Sequence, residues 1–184
     1  MKIRKAILSD SKGIAKVHVD SWRTTYSGIV PDEFLDQLSY ESREKMWKRG
    51  IPNGHVIVAE NEQGEIVGFA CGGKERSGNY ENYQGELYAI YIFQEYQGQG
   101  LGKKLVVPVV NQLLDKKINT MLVLVLEENK SCLFYEALGA RKLDTVEVEI
   151  GGRILKEAVY GWEDILTIGG TSCSQLLQKT NQIT

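Results

Sequence analysis

The feature that most constrains this chain is a long apolar stretch that runs into a cluster of glycines and then into a helical pattern. Residues 86–93 read ELYAIYIF, residues 97–102 read QGQGLG, and apolar residues from Leu101 to Leu113 recur at helical spacing. Glycine has no Cβ, so successive backbone N–H groups can converge on one point, where the following helix adds positive potential. The pattern predicts a strand, a loop and a helix that bind a phosphate, unless the glycines serve only a tight turn.

Two familiar phosphate-binding loops do not match this cluster. A P-loop needs Lys and then Ser or Thr after its last glycine, but Gly102 is followed by Lys103 and Lys104. A dinucleotide-binding loop needs a third glycine where this chain has Lys103, although Glu127 after the next strand imitates its ribose-binding acid. The sequence therefore excludes a P-loop. A dinucleotide-binding loop remains an alternative, but its third glycine is missing.

The rest of the chain alternates between strand and helix patterns. Residues 2–7 predict a strand, and the residues after Ser9 predict an amphipathic helix, with further helix starts near Pro31 and Tyr40. Hairpins are predicted for two regions, residues 55–71 and residues 146–162, because each has two strand patterns around a turn. Residues 121–126 are continuously apolar, as in a strand buried on both faces, and a helix is predicted over residues 129–138. We predict one mixed α/β domain over residues 1–164 and a C-terminal tail over residues 165–184.

The composition argues against several classes of binding partner. The chain has 22 Lys and Arg against 24 Asp and Glu, a formal net charge of −2, so it lacks the basic surface that nucleic acid binding requires. No window approaches the ~20 apolar residues of a membrane span, and we expect a cytoplasmic protein that does not bind a membrane. Cys71, Cys132 and Cys173 are widely spaced and odd in number, so we expect neither a disulfide framework nor a metal site.

Two motifs resemble those of the GNAT superfamily of N-acetyltransferases. Gln97-x-x-Gly100-x-Gly102 is similar to the family's Q/R-x-x-G-x-G/A pyrophosphate loop, and VLEENKSCLFYEALGA, residues 125–140, is similar to the block after its fifth strand. The motifs occur in the family's order, and the resemblance covers about residues 2–163. It implies a GNAT-like α/β (α+β) fold, with a single mixed, mostly antiparallel sheet of about seven strands flanked by helices. It also implies acetyl-CoA as the cosubstrate.

The resemblance further implies how acetyl-CoA is held. Backbone groups of Ile90, Tyr91 and Ile92 would pair with the pantetheine arm as an added strand. Asn129 would hydrogen-bond the end of pantetheine, although its interval to Tyr135 is one residue shorter than the commonest family spacing. The amides that cradle the pyrophosphate would belong to Gln97, Gly98, Gln99, Gly100, Leu101, Gly102 and Lys103.

Acetyl transfer to an amine needs a free lone pair, a stabilised oxyanion and a proton for the departing thiolate. The family block makes Tyr135 the candidate general acid, and the main-chain N–H of Ile92, at a local bulge, the candidate oxyanion donor. Glu86 is the candidate base, directly or through a water, because its strand parity with Tyr88, Ile90 and Ile92 predicts a common sheet face. Tyr88 is the alternative on that face, as a residue that shapes the acceptor pocket.

The acceptor pocket is expected near the first two helices. Trp22 and Tyr26 precede the acidic Asp32, Glu33 and Asp36, and SWRTTYSGIVPDEFL is similar to bacterial small-amine acetyltransferases that include polyamine enzymes. Aromatic faces and carboxylates suit a cationic substrate. We therefore expect an N-acetyltransferase that transfers the acetyl group to a polyamine or similar primary amine by direct attack in a ternary complex. The alternatives are a non-catalytic acyl-CoA-binding regulatory module and a peptide or protein N-acetyltransferase; homodimers are frequent in the family.

Overall fold

The computed structural model describes residues 1–169. Cys173 and most of the predicted tail lie outside this part. Seven strands form one sheet: β1 Lys2–Lys5, β2 Val56–Glu60, β3 Ile66–Lys74, β4 Gly85–Ile92, β5 Met121–Leu126, β6 Arg141–Ile150 and β7 Arg153–Trp162. The helices are α1 Ser11–Thr25, α2 Asp32–Asp36, α3 Tyr40–Gly50, α4 Leu101–Asp115, α5 Cys132–Ala137 and α6 Leu166–Gly169.

The sheet has the strand order β1-β2-β3-β4-β5-β7-β6. All neighbouring strands run antiparallel except β4 and β5, which are parallel. The prediction of a mixed, mostly antiparallel sheet of about seven strands flanked by helices is therefore confirmed.

The parallel pair β4 and β5 is joined over a short distance only. Gly85 pairs with Met121 and Glu86 with Leu122, and no further pairs follow. Beyond this point β4 continues to pair with β3, and β5 pairs with β7 along its whole length. The two central strands therefore separate and leave a gap in the middle of the sheet, at the end that carries residues 88–92 of β4.

Helices cover both faces of the sheet. On one face, Leu105, Val109 and Leu113 of α4 pack on β strands through Leu87 and Val123. On the other face, α1 and α3 cover β2, β3 and β4, and the segment around α2 covers the ends of β5 and β7. The gap between β4 and β5 therefore lies between two helical layers.

The carboxyl-terminal part of the described chain belongs to the core. Ile165 and Ile168 are fully buried in the cluster that surrounds α4, although residues 165–169 fall in the segment predicted as a tail. Their burial against α4 shows that the packed unit extends at least to α6.

Two element boundaries differ clearly from the predicted ones. β6 begins at Arg141, five residues before the predicted strand, because this edge strand is largely exposed and its first half has no apolar alternation. α5 begins at Cys132 and not at Asn129, whose Oδ1 accepts a hydrogen bond from the Ser131 N–H at 2.9 Å and forms a turn. α4 runs across Pro108 without interruption.

Candidate active site

Residues 98–103 present a row of free backbone donors. Gly98 and Gly100 have φ values of +71° and +74°, a left-handed conformation that a residue with a Cβ adopts only with strain. None of the N–H groups of residues 98–103 donates to another group within residues 1–169. The loop is exposed, and a Cβ built on Gly100 would meet nothing within 4 Å. The free N–H groups at the start of α4 therefore form an exposed site that suits an anion, called here the anion seat.

Side chains of the same loop fix its shape. Gln97 donates through Nε2 to the Ile92 carbonyl at 2.9 Å, and Gln99 donates to the Glu95 carbonyl at 3.0 Å. Gly102 has no room for a side chain, because a Cβ there would lie 2.8 Å from Cε2 of Phe134 on α5. Gln97 thus ties the loop to β4 and Gln99 ties it to the segment that follows β4, while the glycine allows α5 to pack against the first turn of α4. The side chains of Lys103 and Lys104 are exposed, so neither places a buried positive charge in the site.

A cavity of about 70 Å³ occupies the gap between β4 and β5. β4 contributes its second half to the lining, from Tyr88 to Ile92, and β5 contributes Val123 to Val125. The rest of the lining comes from the end of α1, the loop and the region of α5: Ser21, Thr25, Tyr26, Gln97, Asn129, Ser131 and Tyr135. The cavity therefore reaches from the glycine loop through the sheet to α1. Its volume suits a small reacting group.

The backbone of β4 leaves donors free toward this gap. The N–H of Phe93 donates to the Val67 carbonyl at 3.0 Å, so Phe93 faces β3. Because backbone groups alternate in direction along a strand, the N–H groups of Ile90 and Ile92 point away from β3, toward the gap. Both residues also line the cavity, and their side chains pack on the α4 side of the sheet.

Tyr135 reaches the cavity from α5. The residue is 5% exposed, and its ring packs against Phe134, Tyr160 and Trp162. Its hydroxyl has no hydrogen-bond partner in the described part of the chain, and burial raises its pKa above the usual value for tyrosine. The phenol is therefore protonated at neutral pH and free to donate.

Aromatic residues form the α1 side of the site. Nε1 of Trp22 donates to the Tyr91 hydroxyl at 2.9 Å, and the ring of Trp22 lies 4.7 Å from that of Tyr26. Burial raises the pKa of both tyrosines, and for Tyr26 contacts with Tyr91 and Asn129 offset part of the effect. Tyr26 and Asn129 line the cavity, whereas Trp22 does not; it contacts the lining residues Tyr26 and Tyr91 from behind.

A bulge in β4 changes the face on which several predicted residues lie. Cys71 pairs with Ala89 but Gly72 pairs with Leu87, so Tyr88 is an extra residue. Tyr88 consequently packs on the α1–α3 side, while Ile90 and Ile92 pack on the α4 side. The predicted common face for these residues is therefore wrong, because parity does not continue through a bulge.

Glu86 lies beside Tyr88 but outside the cavity. It pairs with Gly73, whose Cβ, if present, would lie 2.5 Å from the Tyr88 hydroxyl. The Glu86 carboxylate is buried and accepts from the backbone N–H and Nε of Arg76 at 3.2 and 3.1 Å, with a close ion pair to Nη2. A carboxylate held in this way has few lone pairs left for a substrate.

Tyr88 lines the cavity, and its polar end is occupied. Its hydroxyl donates to the Lys74 carbonyl at 2.6 Å, and the Arg76 guanidinium lies 4.1 Å from its ring centre. The residue thus offers the cavity a ring and no free proton.

Sequence reasoning missed three polar groups of the site. Ser21, Thr25 and Ser131 line the cavity. Tyr91, for which only backbone contacts were predicted, is also a lining residue. Isolated serines and threonines form no recognisable sequence motif, so only the tertiary packing around the gap reveals them. The predicted acids Asp32, Glu33 and Asp36 are exposed on or beside α2 and do not line the cavity.

Residues 1–169 contain no group of three or more His, Cys, Asp or Glu side chains arranged to hold a metal ion. In the same part of the chain, no helix is both long and apolar enough to cross a membrane.

Comparison with known proteins agrees with this geometry. Residues 16–140 match the model of the acetyltransferase (GNAT) family. The uncharacterized N-acetyltransferase YuaI of Bacillus subtilis (strain 168) is 45% identical over 163 residues, which cover 89% of this chain and 93% of YuaI. Thialysine N-ε-acetyltransferase of Bos taurus is 37% identical over 107 residues, 52% of this chain and 61% of that protein.

Among solved structures, the PaiA N-acetyltransferase from Thermoplasma acidophilum, in complex with coenzyme A, has the same fold. It superposes with a TM-score of 0.64 at 24% identity, covering 85% of this chain and 96% of that one. The matches to the family model and to YuaI extend over most of the sequence, and they include the loop and the gap described above. The chain belongs to the GNAT family of acetyltransferases.

Proposed function

We propose that this acetyltransferase transfers the acetyl group of acetyl-CoA to a small primary amine. The observation that carries the proposal is the row of unpaired N–H groups at residues 98–103 next to the gap between β4 and β5. Such a row at a helix N-terminus suits a pyrophosphate. The free edge of β4 suits a pantetheine arm that pairs as an added strand, so the thioester would reach the cavity.

The chain's own groups supply two requirements of the reaction. The N–H of Ile92, which points to the gap, would donate to the oxygen of the thioester carbonyl as negative charge develops there. Tyr135 would protonate the departing thiolate, since its phenol has no other partner in the described residues and stays protonated at neutral pH. Asn129, next to Tyr26 in the cavity lining, would bind the end of the pantetheine arm.

Several features favour a small amine acceptor. The cavity measures about 70 Å³, and its α1 end is lined by small hydroxyl residues and the ring of Tyr26. One relative, thialysine N-ε-acetyltransferase, is named for the acetylation of a side-chain amine. Polyamines and short diamines are therefore the first acceptors to test, followed by thialysine and amino acids.

The experiment is an acceptor screen that measures thiol release from acetyl-CoA. The panel contains spermidine, putrescine, thialysine, L-amino acids and a peptide with a free N-terminus. The proposal predicts release that depends on a small amine and saturates with it. Tight acetyl-CoA binding without turnover on any acceptor would instead support a regulatory module, and turnover confined to the peptide would support a protein N-acetyltransferase.

A cytoplasmic location and a homodimer stay predictions. Sedimentation equilibrium of the purified chain tests the second, because a dimer doubles the mass of the 20.7 kDa chain.

A further inference from the structure

Glu157 is an unusual residue for its position. It lies in the middle of β7, between β5 and β6, and is half-buried. On its face of the strand the neighbouring residues are Leu155, Val159 and Gly161, all buried. An acid in an apolar row of an inner strand is costly unless a partner compensates it.

The described residues provide no such partner. The ion pairs in this part of the sheet join Arg76 to Glu86 and Lys142 to Glu127, and neither includes Glu157. The ionisable groups whose charge couples to it are Glu86, an acid of the same sign, and Tyr26. Burial and the charge of Glu86 raise its pKa. The carboxylate therefore lacks a cation.

Glu157 lies on the α1 face of the sheet, one strand away from residues that line the cavity. It pairs across the sheet with Leu126, and the alternate residue Leu124 lines the cavity on the same face of β5. Tyr26, whose ionisation the charge of Glu157 opposes, lines the cavity as well. Glu157 is not itself a lining residue, and it lies on the strand next to β5, on the same face as Leu124 and Leu126.

A polar group in the cavity lining also lacks a partner. Ser21 of α1 is 2% exposed and lines the cavity, and its Oγ has no hydrogen-bond partner within residues 1–169. A buried hydroxyl without a partner costs free energy unless a ligand or water satisfies it. A carboxylate on this face of the sheet, with a hydroxyl and the aromatic ring of Tyr26 in the cavity lining, matches a positively charged nitrogen with several N–H donors.

We propose that Glu157 and Ser21 form the subsite that binds the ammonium group of the acceptor on the α1 side of the gap. The proposal rests on the proposed function, because it takes the glycine-loop side of the cavity to be filled by the cofactor. It replaces the exposed acids of α2 as the source of negative charge for a cationic substrate. Glu86 is paired with Arg76 and is not part of the subsite.

The test compares Glu157→Gln and Ser21→Ala with Glu147→Gln. Glu147 lies on the neighbouring strand β6, is exposed and belongs to the opposite face, so its variant removes one negative charge from the same hairpin without touching the subsite. Binding of spermidine to each protein saturated with coenzyme A is measured by calorimetry, and the affinity for acetyl-CoA is measured separately. Thermal melts show whether each variant folds.

We expect Glu157→Gln to weaken spermidine binding at least about tenfold and Ser21→Ala to weaken it severalfold, with acetyl-CoA affinity unchanged. Glu147→Gln should behave as wild type in both measurements. Glu157→Gln should also melt no lower than wild type at pH 7, because it removes a buried charge without a partner. If Glu157 only stabilised the fold, Glu157→Gln would lower the melting temperature.

The outcomes separate this subsite from the proposed function. Spermidine binding that depends on Glu157, with no acetyl transfer in the acceptor screen, would support the subsite and contradict the function. Equal spermidine affinity in Glu157→Gln, Glu147→Gln and wild type would overturn the subsite, even if wild type acetylates amines. Failure of wild type to bind spermidine would overturn it too. If Glu157→Gln does not fold, unchanged binding by Ser21→Ala decides against the proposal.

Discussion

The hydroxyl of Tyr135 can be removed without breaking a hydrogen bond of the described residues. Among residues 1–169 it forms no hydrogen bond, so Tyr135→Phe keeps the packing against Phe134 and Trp162 and removes only a proton donor. We predict that kcat falls by about 10²-fold or more, as expected for the loss of a general acid, while acetyl-CoA affinity changes less than twofold. Steady-state kinetics and a cofactor titration check this. A collapse of cofactor affinity with unchanged kcat would contradict the acid role.

Gly100 tests the anion seat at the level of one residue. Valine there would place a side chain in the open space where the pyrophosphate is proposed to bind, and it would strain a backbone with φ +74°. The matched control is Gly64→Val in the turn between β2 and β3, where φ is +82° and a Cβ would also meet nothing within 4 Å. Both variants should lose roughly 1–2 kcal/mol of stability from backbone strain, but only Gly100→Val should lose acetyl-CoA binding. Equal cofactor affinity in the two variants would remove the loop from the site.

Helix α1 carries a histidine whose burial ties stability to pH. His18 accepts a hydrogen bond from Nε1 of Trp47 at 3.2 Å, and burial lowers its pKa to about 3. Below pH 6.5 His18 therefore binds a proton in the unfolded chain but stays neutral in the folded chain. The free energy of unfolding consequently falls as the pH drops from 6.5 toward 3. At pH 5 this residue should cost about 2 kcal/mol relative to pH 7.

The comparison is urea unfolding of wild type and His18→Asn at pH 7 and pH 5. Asparagine retains an acceptor for Trp47 and does not titrate, so the variant should lose less stability than wild type over this interval. His55→Asn serves as the control, because His55 is less buried. Identical pH dependence of wild type and His18→Asn would show that the fold does not lower the pKa of His18.

Strand β4 shows how far the sequence predicts an element. Its apolar run and the glycines after it are local signals, and they predict the strand, the loop and the start of α4 correctly. The bulge at Tyr88 is set by the register with β3, a contact between distant parts of the chain, and no local pattern marks it. The predicted face of Ile90 and Ile92 failed for that reason, whereas Glu86 and Tyr88, before the shift, keep a common side.

The whole sheet depends on long-range pairing in the same way. Periodicity predicts seven strands, but the separation of β4 from β5 follows from their pairing over two residues only, and the sequence pattern alone does not give it. The resemblance to a known family implied only that a pantetheine arm pairs with residues 90–92 as an added strand. Neither periodicity nor the resemblance predicts Glu157 and Ser21, because neither residue belongs to a motif. The place of Ser21 in the cavity lining and of Glu157 on the strand beside β5 appears only in the assembled molecule.

The packing of α6 makes a prediction for the molecule as a whole. Ile168 is 1% exposed against the core around α4, so Ile168→Ala should cost about 2–4 kcal/mol of unfolding free energy. Thr167→Ala, one position earlier and exposed, loses a single hydrogen bond to Asp164 and should cost well below that. Urea unfolding followed by circular dichroism measures both. Equal losses would mean that α6 is not part of the cooperative core.

The central claim is that free amides at the start of α4 and along the edge of β4 bind the cosubstrate. Backbone amide NMR during a coenzyme A titration tests it most directly. We predict saturable binding in which the amide resonances of Gly98, Gly100 and Gly102 move most, together with those of Ile90 and Ile92. Saturable binding that leaves these amides unmoved, or no binding at all, would contradict the account.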